Sequence, residues 1–428
     1  MNTQEISFIR CLKIQQKSAA LFSQTAPLLM RQIVLFLFLF FNAGNGFSIS
    51  KPPQQDSIQS GFIFPLQGKH VHSSCLTELP NGDLLACWFE GSGERHANDV
   101  VINGARLKKG STRWSEPFLL ADTPGNPDCN PILFLDYQKR LHLVWLVVIA
   151  NRWETSILKT RISTNYEQAG PPKWSWQDII LLHPDKAFGQ TMDTKFRELN
   201  SPEMAWAEYA PPYEKMLVEA AHDPVKRQLG WMTRIKPLLL DDHKILMPLY
   251  SDGFNLSLIS ISDDNGNSWK TSLPIVGRGN IQPTLLQKKN GELVAYMRDN
   301  GDAPGRIFKS TSTDEGYSWT AAAKTNIPNP GSSVDALTLN DGSWLMVCND
   351  LEKGRSQLSL YRSTDEGENW WKVYSLENLQ GQKGGASYPC IIQAKDGSVH
   401  ISYTYSIGSS GTIKHVCISP SWLINHQQ

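Results

Sequence analysis

Two arginines, a tyrosine and an acidic loop are the residues of this 428-residue chain whose types could do chemistry together. Arg298 ends the run LVAYMRD, and Arg355 lies in EKGRSQLSLYRSTDEG. A guanidinium fork binds a planar carboxylate bidentately, so two forks converging on one point favour an acidic sugar. Tyr388, in GGASYPCIIQAKDG, brings a phenol that is a poor nucleophile until something draws off its proton. The loop GSGERHANDVVI offers Glu94, His96 and Asp99, and partial burial would raise either carboxylate into general-acid range. His72, in HVHSSCLTELPNGD, is a candidate base, and Asn280, Gln282, His96 and Asp335 are candidate binders. Each also has a plain structural use: a surface salt bridge for an arginine, a stacked ring for Tyr388, a solvated loop for the acids. No CxxC pair or other metal-ligand spacing occurs, so neither a metal nor a cofactor is expected.

Such residues need a scaffold, and the chain repeats one. SDDNGNSW, STDEGYSW and STDEGENW share Ser, Asp, Gly and Trp at fixed offsets, with Asp264, Asp314 and Asp365 about 50 residues apart. Asp accepts hydrogen bonds from the backbone just after it, Gly supplies the positive φ of a tight bend, and Trp folds back as an apolar plug. These aspartates read as turn-formers. A second signal keeps the same phase: hairpins at Pro80, Tyr137, Asp241, Lys289, Asn340 and Lys395, each a turn followed by an apolar strand. Six hairpins predict six blades, and GFIFPL at Gly61 is the strand expected to close the ring beside HVCIS at His415.

The repeated box resembles the Asp-box, or bacterial neuraminidase repeat, of the sialidase superfamily, whose members are six-bladed β-propellers. The resemblance runs from about Gly61 to the end. It implies an all-β, six-bladed β-propeller. Between His183 and Ile235 the blade spacing doubles, which predicts an inserted loop or short helical segment around residues 184–235. The resemblance also implies an exo-α-sialidase-type glycosidase. In that superfamily three arginines grip the substrate carboxylate, a Tyr paired with a Glu is the nucleophile, and an Asp is the acid/base. Arg298 and Arg355 match the second and third arginines, Tyr388 the nucleophile, and the loop with Glu94, His96 and Asp99 the acid/base loop. Two positions depart. His72 stands where the first arginine belongs, and RGNIQPTLL, with Asn280 and Gln282, replaces the motif holding the Glu. Those departures keep two other readings open. One is a uronide lyase, in which His72, Asn280, Arg298 and Tyr388 supply carboxylate neutralisation and a base. The other is a non-catalytic glycan-binding propeller.

Composition bounds the partners. Forty-one basic residues balance 41 acidic ones, which removes any general electrostatic reason to bind nucleic acid or an anionic membrane. Fourteen Trp, 31 Gly and 25 Pro suit a turn-rich β protein presenting aromatic platforms to sugars. The arginines and the resemblance make an acidic glycan the expected partner, and a monomer is expected. Met30 and Arg31 precede the apolar run Ile33 to Phe41, with Gly44 and Gly46 beyond it. This reads as a signal peptide, too short for a stable membrane anchor, so a secreted or periplasmic location is expected. Residues 1–46 are then a leader with Met30 as the true start, 47–60 a linker, and 61–428 the propeller. Cys75, Cys87, Cys129, Cys348, Cys390 and Cys417 read mainly as core thiols, with pairing unassigned. Asn255-Leu256-Ser257 is a glycosylation sequon if the source is eukaryotic.

Overall fold

The computed structural model describes residues 57–94, 97–199, 211–240 and 243–426. The expected leader, His96 and residues 200–210 of the insertion lie outside them. Strand β1 (Ile58–Phe62) comes first in the chain and belongs to the last blade. The first blade is β2 (His70–Glu78), β3 (Leu84–Gly91), β4 (Val101–Leu107) and β5 (Phe118–Ala121). The second is β6 (Asp128–Leu135), β7 (Leu141–Val147), β8 (Ile157–Ser163) and β9 (Trp176–Ile180). The third is β10 (Leu238–Leu239), β11 (Ile245–Ser251), β12 (Leu256–Ser262) and β13 (Lys270–Thr271). The fourth is β14 (Asn280–Gln287), β15 (Leu293–Asp299), β16 (Arg306–Ser312) and β17 (Ala323–Pro328). The fifth is β18 (Asp335–Thr338), β19 (Trp344–Cys348), β20 (Gln357–Ser363) and β21 (Trp371–Asn378). The sixth is β22 (Gly384–Gln393), β23 (Val399–Ile407), β24 (Ser410–Ile418) and, closing the ring, β1.

The expected closure is present, with Gly61 opposite His415. It begins earlier than the sequence suggests, because Ile58 already pairs with Ile418. The second strand of the third blade, β11 (ILMPLYS), is buried throughout because neighbouring blades cover both sides, whereas β23 of the sixth blade alternates, with His400, Ser402 and Thr404 on one face. The three boxes form turns. Ser318 donates its backbone N–H to Asp314 at 2.9 Å, and Gly316 takes φ +87°. Asp264 and Asp365 repeat the arrangement. Trp319 is 6% exposed and donates to the Gly316 carbonyl at 2.9 Å, which seals the turn. The six described cysteines are free thiols, five of them buried among the strands.

The insertion contains two helices, α1 (Lys186–Glu198) and α2 (Pro211–His222). Asp185 caps α1 by accepting from the Ala187 N–H, and Phe188, Met192 and Phe196 form its buried face. Phe188 packs edge-on against Trp231 and Phe254, which fixes the insertion to the third blade. Helix α3 (Pro420–Asn425) follows the last strand. Among the described residues no helix is long and apolar enough to cross a membrane.

The innermost strands carry the feature that shapes the centre. In β2, β6, β14 and β22 the ladder shifts register between His72 and Cys75, Cys129 and Ile132, Ile281 and Thr284, and Ser387 and Cys390. At each bulge one non-glycine residue adopts a positive φ: Ser73 (59°), Asn130 (46°), Gln282 (56°) and Tyr388 (56°). Three of these precede a proline, which the inner edge of a sheet tolerates because no ladder hydrogen bond is lost there. The bulge re-aims these side chains, and strained backbone of this kind concentrates at functional sites.

Candidate functional site

Asn130, Gln282 and Tyr388 meet at a cavity of about 280 Å³, lined also by Glu94, Trp153, Tyr213, Tyr250, Asp252, Asn255, Arg298 and Asn300. Tyr250 and Arg298 stand at the sixth residue of β11 and β15, so the blade repeat brings them to the same end of the barrel. Tyr213 comes from α2, whose Glu214 pairs with Arg278 at 2.6 Å. One wall of the cavity is thus built by the insertion.

Tyr388 is the hub. Arg298 Nη1 donates to its hydroxyl at 2.7 Å, and Gln282 Nε2 lies 3.4 Å from the same oxygen. The ring of His72 lies 4.0 Å from that of Tyr388, and the guanidiniums of Arg234 and Arg355 stand 5.0 and 5.2 Å from its centre. Arg298 Nη2 donates to Asn300, which in turn donates to Asn255 at 2.9 Å. His72, Arg298, Arg355 and Tyr388, drawn from four blades, are therefore brought around one ring. Arg355 lies over that ring and donates to the Gly331 carbonyl at 3.0 Å, outside the cavity lining.

Electrostatics divides the two tyrosines. Burial pushes the Tyr388 phenol up, but Arg298 and Arg355 more than offset it, leaving its pKa below the ordinary tyrosine value. Burial, reinforced by Asp252, holds Tyr250 well above that value, and Asn130 donates to the Tyr250 oxygen at 3.0 Å. One phenol is thus disposed to give up a proton and the other to keep it. Burial lowers His72 to about 3 against the opposing pull of Glu94, so the imidazole is neutral at ordinary pH. It supplies no cation where the resemblance has an arginine. Among the described residues Gln282 Oε1, Asn130 Oδ1 and Arg298 Nε have no hydrogen-bond partner, so two acceptors and a donor are left for a ligand.

Other expected site residues lie elsewhere. Glu94 lines the cavity, 3.4 Å from His70, but Asp99 is exposed and turned to Ser92. The Ser92 hydroxyl and N–H hold the Asp99 carboxyl below its usual range, which suits an ionised loop brace rather than an acid. Asn280 is fully buried and donates to the Ile275 carbonyl at 2.8 Å, away from the cavity. Asp335 is also fully buried: it pairs with Lys236 at 2.6 Å and accepts from Thr284 and from the Ile391 N–H. It ties four blades together and does not line the cavity. His96 lies outside the described residues. The sequon residue Asn255 is 4% exposed and hydrogen-bonded inside the site, where a glycan has no room. No group of three or more His, Cys, Asp or Glu among the described residues could hold a metal ion.

Sequence reasoning passed over Tyr250, Asp252, Asn255, Asn300 and Arg234. Two sequence patterns bear on the cavity, and the second of them reaches Tyr250. Asn130-Pro131, Lys236-Pro237, Gln282-Pro283 and Tyr388-Pro389 repeat a residue, a proline and an apolar run in four blades. Aligning the hairpin strands on their starts likewise superposes Tyr250 on Arg298.

Comparison with known proteins agrees with this architecture. A model of the BNR repeat-like domain matches residues 82–190 and 223–401. No curated protein sequence matches at significant similarity. Among solved structures, a protein of unknown function from Dyadobacter fermentans superposes with a TM-score of 0.59 at 16% identity, covering 85% of this chain and 99% of that one. A Hadza microbial sialidase gives 0.58 at 16% identity over 82% of this chain and 66% of its own. The intramolecular trans-sialidase of Ruminococcus gnavus, solved with oseltamivir carboxylate, gives 0.59 at 13% identity over 83% and 95%. At such identities the solved structures speak for the fold alone. With the family model matching well over half its length, the chain belongs to the BNR repeat-like domain family and has the sialidase-like propeller fold.

Proposed function

We propose that this protein is an exported glycoside hydrolase acting on a carboxylate-bearing sugar. The observation that carries the reading is the 2.7 Å bond from Arg298 to Tyr388 at a cavity whose lining residues Asn130, Gln282 and Arg298 each hold an unsatisfied polar atom. Arg298, with its spare Nε, binds the sugar carboxylate, and Arg355 adds its charge from over the Tyr388 ring. Asn130 and Gln282 accept from the sugar's hydroxyl or amide donors. The Tyr388 phenolate attacks the anomeric carbon as the glycosidic C–O bond breaks, and Glu94 gives its proton to the departing oxygen. Water, giving its proton to Glu94, then attacks the anomeric carbon, and the bond from that carbon to the Tyr388 oxygen breaks to regenerate the phenolate. The arginines supply the acidity that the missing carboxylate partner would otherwise help provide. That the solved neighbours include sialidases supports a sialic acid as the first sugar to try. The apolar run Ile33 to Phe41 supports export.

One observation favours a second reading. An amide at Gln282, beside Tyr388 and Arg298, suits β-elimination from a uronide, in which the carboxylate is neutralised and the phenolate removes the C5 proton. A panel of sialosides and uronides, read for released sugar and for the ultraviolet absorbance of an unsaturated uronate, tests both. Sugar release that Tyr388→Phe abolishes while binding persists supports hydrolysis, and new absorbance supports elimination. Binding without turnover leaves a glycan-binding propeller.

A further inference from the structure

Beside the axial cavity lies a groove of about 790 Å³, bounded by residues 152–155 of the second blade, 251–254 of the third, and helix α2 with the segment after it. We propose that this groove is a second binding site, for a planar apolar aglycone carried by the acidic glycoside whose sugar occupies the axial cavity. The proposal rests on the reading of that cavity given above.

Continuity is the first argument. Trp153 and Asp252 line both spaces, so they form a common wall. Helix α2 joins them again through Tyr213, Met216, Leu217 and Ala220, which fall at helical spacing along one face. The first lines the cavity and the other three line the groove. A cavity of about 280 Å³ sits at the low end of ligand-site sizes and suits one sugar, so whatever the sugar is attached to must extend beyond it. Among the described residues only Trp153 and Asp252 stand in the lining of both, so an attachment leaving the cavity past them reaches the groove.

Chemistry is the second. The cavity is walled mainly by amides, acids, phenols and a guanidinium, whereas the groove has Leu217 and Phe254 as a buried floor. Met216 and Val225, 50% and 64% exposed, stand at its sides. Exposed apolar groups gathered beside a polar pocket mark a surface that a ligand covers. The charged side chains Arg152, Glu154 and Lys226 are exposed, which leaves Thr155, Ser251 and Asp252 as the polar groups among the apolar ones. A flat hydrophobic body needs none of them.

The test uses the full chain and free 4-methylumbelliferone, a planar aglycone without a sugar, in a fluorescence-anisotropy titration. Saturable binding that Met216→Lys and Val225→Lys each weaken by about tenfold or more is expected, while Tyr388→Phe leaves it intact. Both groove residues are exposed, so the substitutions spare the core. In parallel, the KM of a 4-methylumbelliferyl sialoside or uronide should lie about tenfold or more below that of the methyl glycoside, and the ratio should approach one in the groove variants. Absence of saturable binding, or binding that neither substitution alters, overturns the proposal. So does self-association of the chain that Met216→Lys abolishes, since the groove then belongs to a second copy. Groove-dependent binding without turnover of any acidic glycoside overturns the catalytic reading and keeps the groove as an apolar-ligand site.

Discussion

Arg298 of the fourth blade and Tyr388 of the sixth are joined by one charge-assisted hydrogen bond of 2.7 Å, and that bond sets the acidity of the phenol together with Arg355. Replacing Arg298 by Gln should raise the Tyr388 pKa and move the alkaline-favoured limb of the pH–rate profile to higher pH. Turnover of an acidic glycoside should fall by about 10²- to 10³-fold, the usual loss when one donor to a reacting centre is removed. An unshifted tyrosinate absorbance titration would contradict the assignment.

Asp335 should prove a structural residue. Asp335→Ala leaves Lys236 without its carboxylate and removes the acceptor for Thr284 and Ile391 N–H, so a loss of about 3 kcal/mol or more is expected. Denaturant unfolding reads the loss, and the glycan affinity of the fraction still folded should be unchanged.

Three histidines make the fold acid-sensitive. Burial lowers His72 and His415 to about 3 and His400 to about 4, so all are neutral in the native state. The unfolded chain takes up their protons below about pH 6.5. Their stabilising contribution is therefore complete above that pH and lost as pH falls toward 3 to 4. At about 1.4 kcal/mol per pKa unit, the combined loss by about pH 4.5 is on the order of several kcal/mol. Urea midpoints measured between about pH 7 and 4.5 should drop accordingly, and His400→Gln should flatten that drop.

Asn255 should carry no glycan in correctly folded protein made in a glycosylating host. Its amide is engaged with Asn300 inside the axial cavity, so an attached glycan would displace the site's own wall. Peptide mass spectrometry of the folded fraction checks this directly.

The six blades were legible because the boxes at Asp264, Asp314 and Asp365 carry their physics locally: an acceptor, a glycine and an apolar plug within eight residues. The centre is harder to read. Asn280 shares β14 with Gln282, and Asp335 opens the inner strand β18 as Asn280 opens β14, yet the bulge turns only Gln282, like Tyr388, to the cavity wall. Asp99 and Glu94 share one loop, and Ser92 determines which carboxyl is turned away. Such distinctions depend on contacts across blades, and local sequence pattern does not encode them. The Xaa-Pro pairs are the exception, since a proline in an inner strand announces the bulge beside it.

The pairing of β1 with β24 also sets an order of events during synthesis. Gly61 waits for His415, roughly 350 residues later, before the ring can shut. Five blades are each made of neighbouring strands and can form as the chain emerges, but the sixth has only β22 and β23 paired until β24 appears to join them to β1. During that interval β23 and β1 both present open edges that invite pairing with other chains. A break in translation shortly before residue 410 would therefore yield a nearly complete but open ring, prone to aggregate.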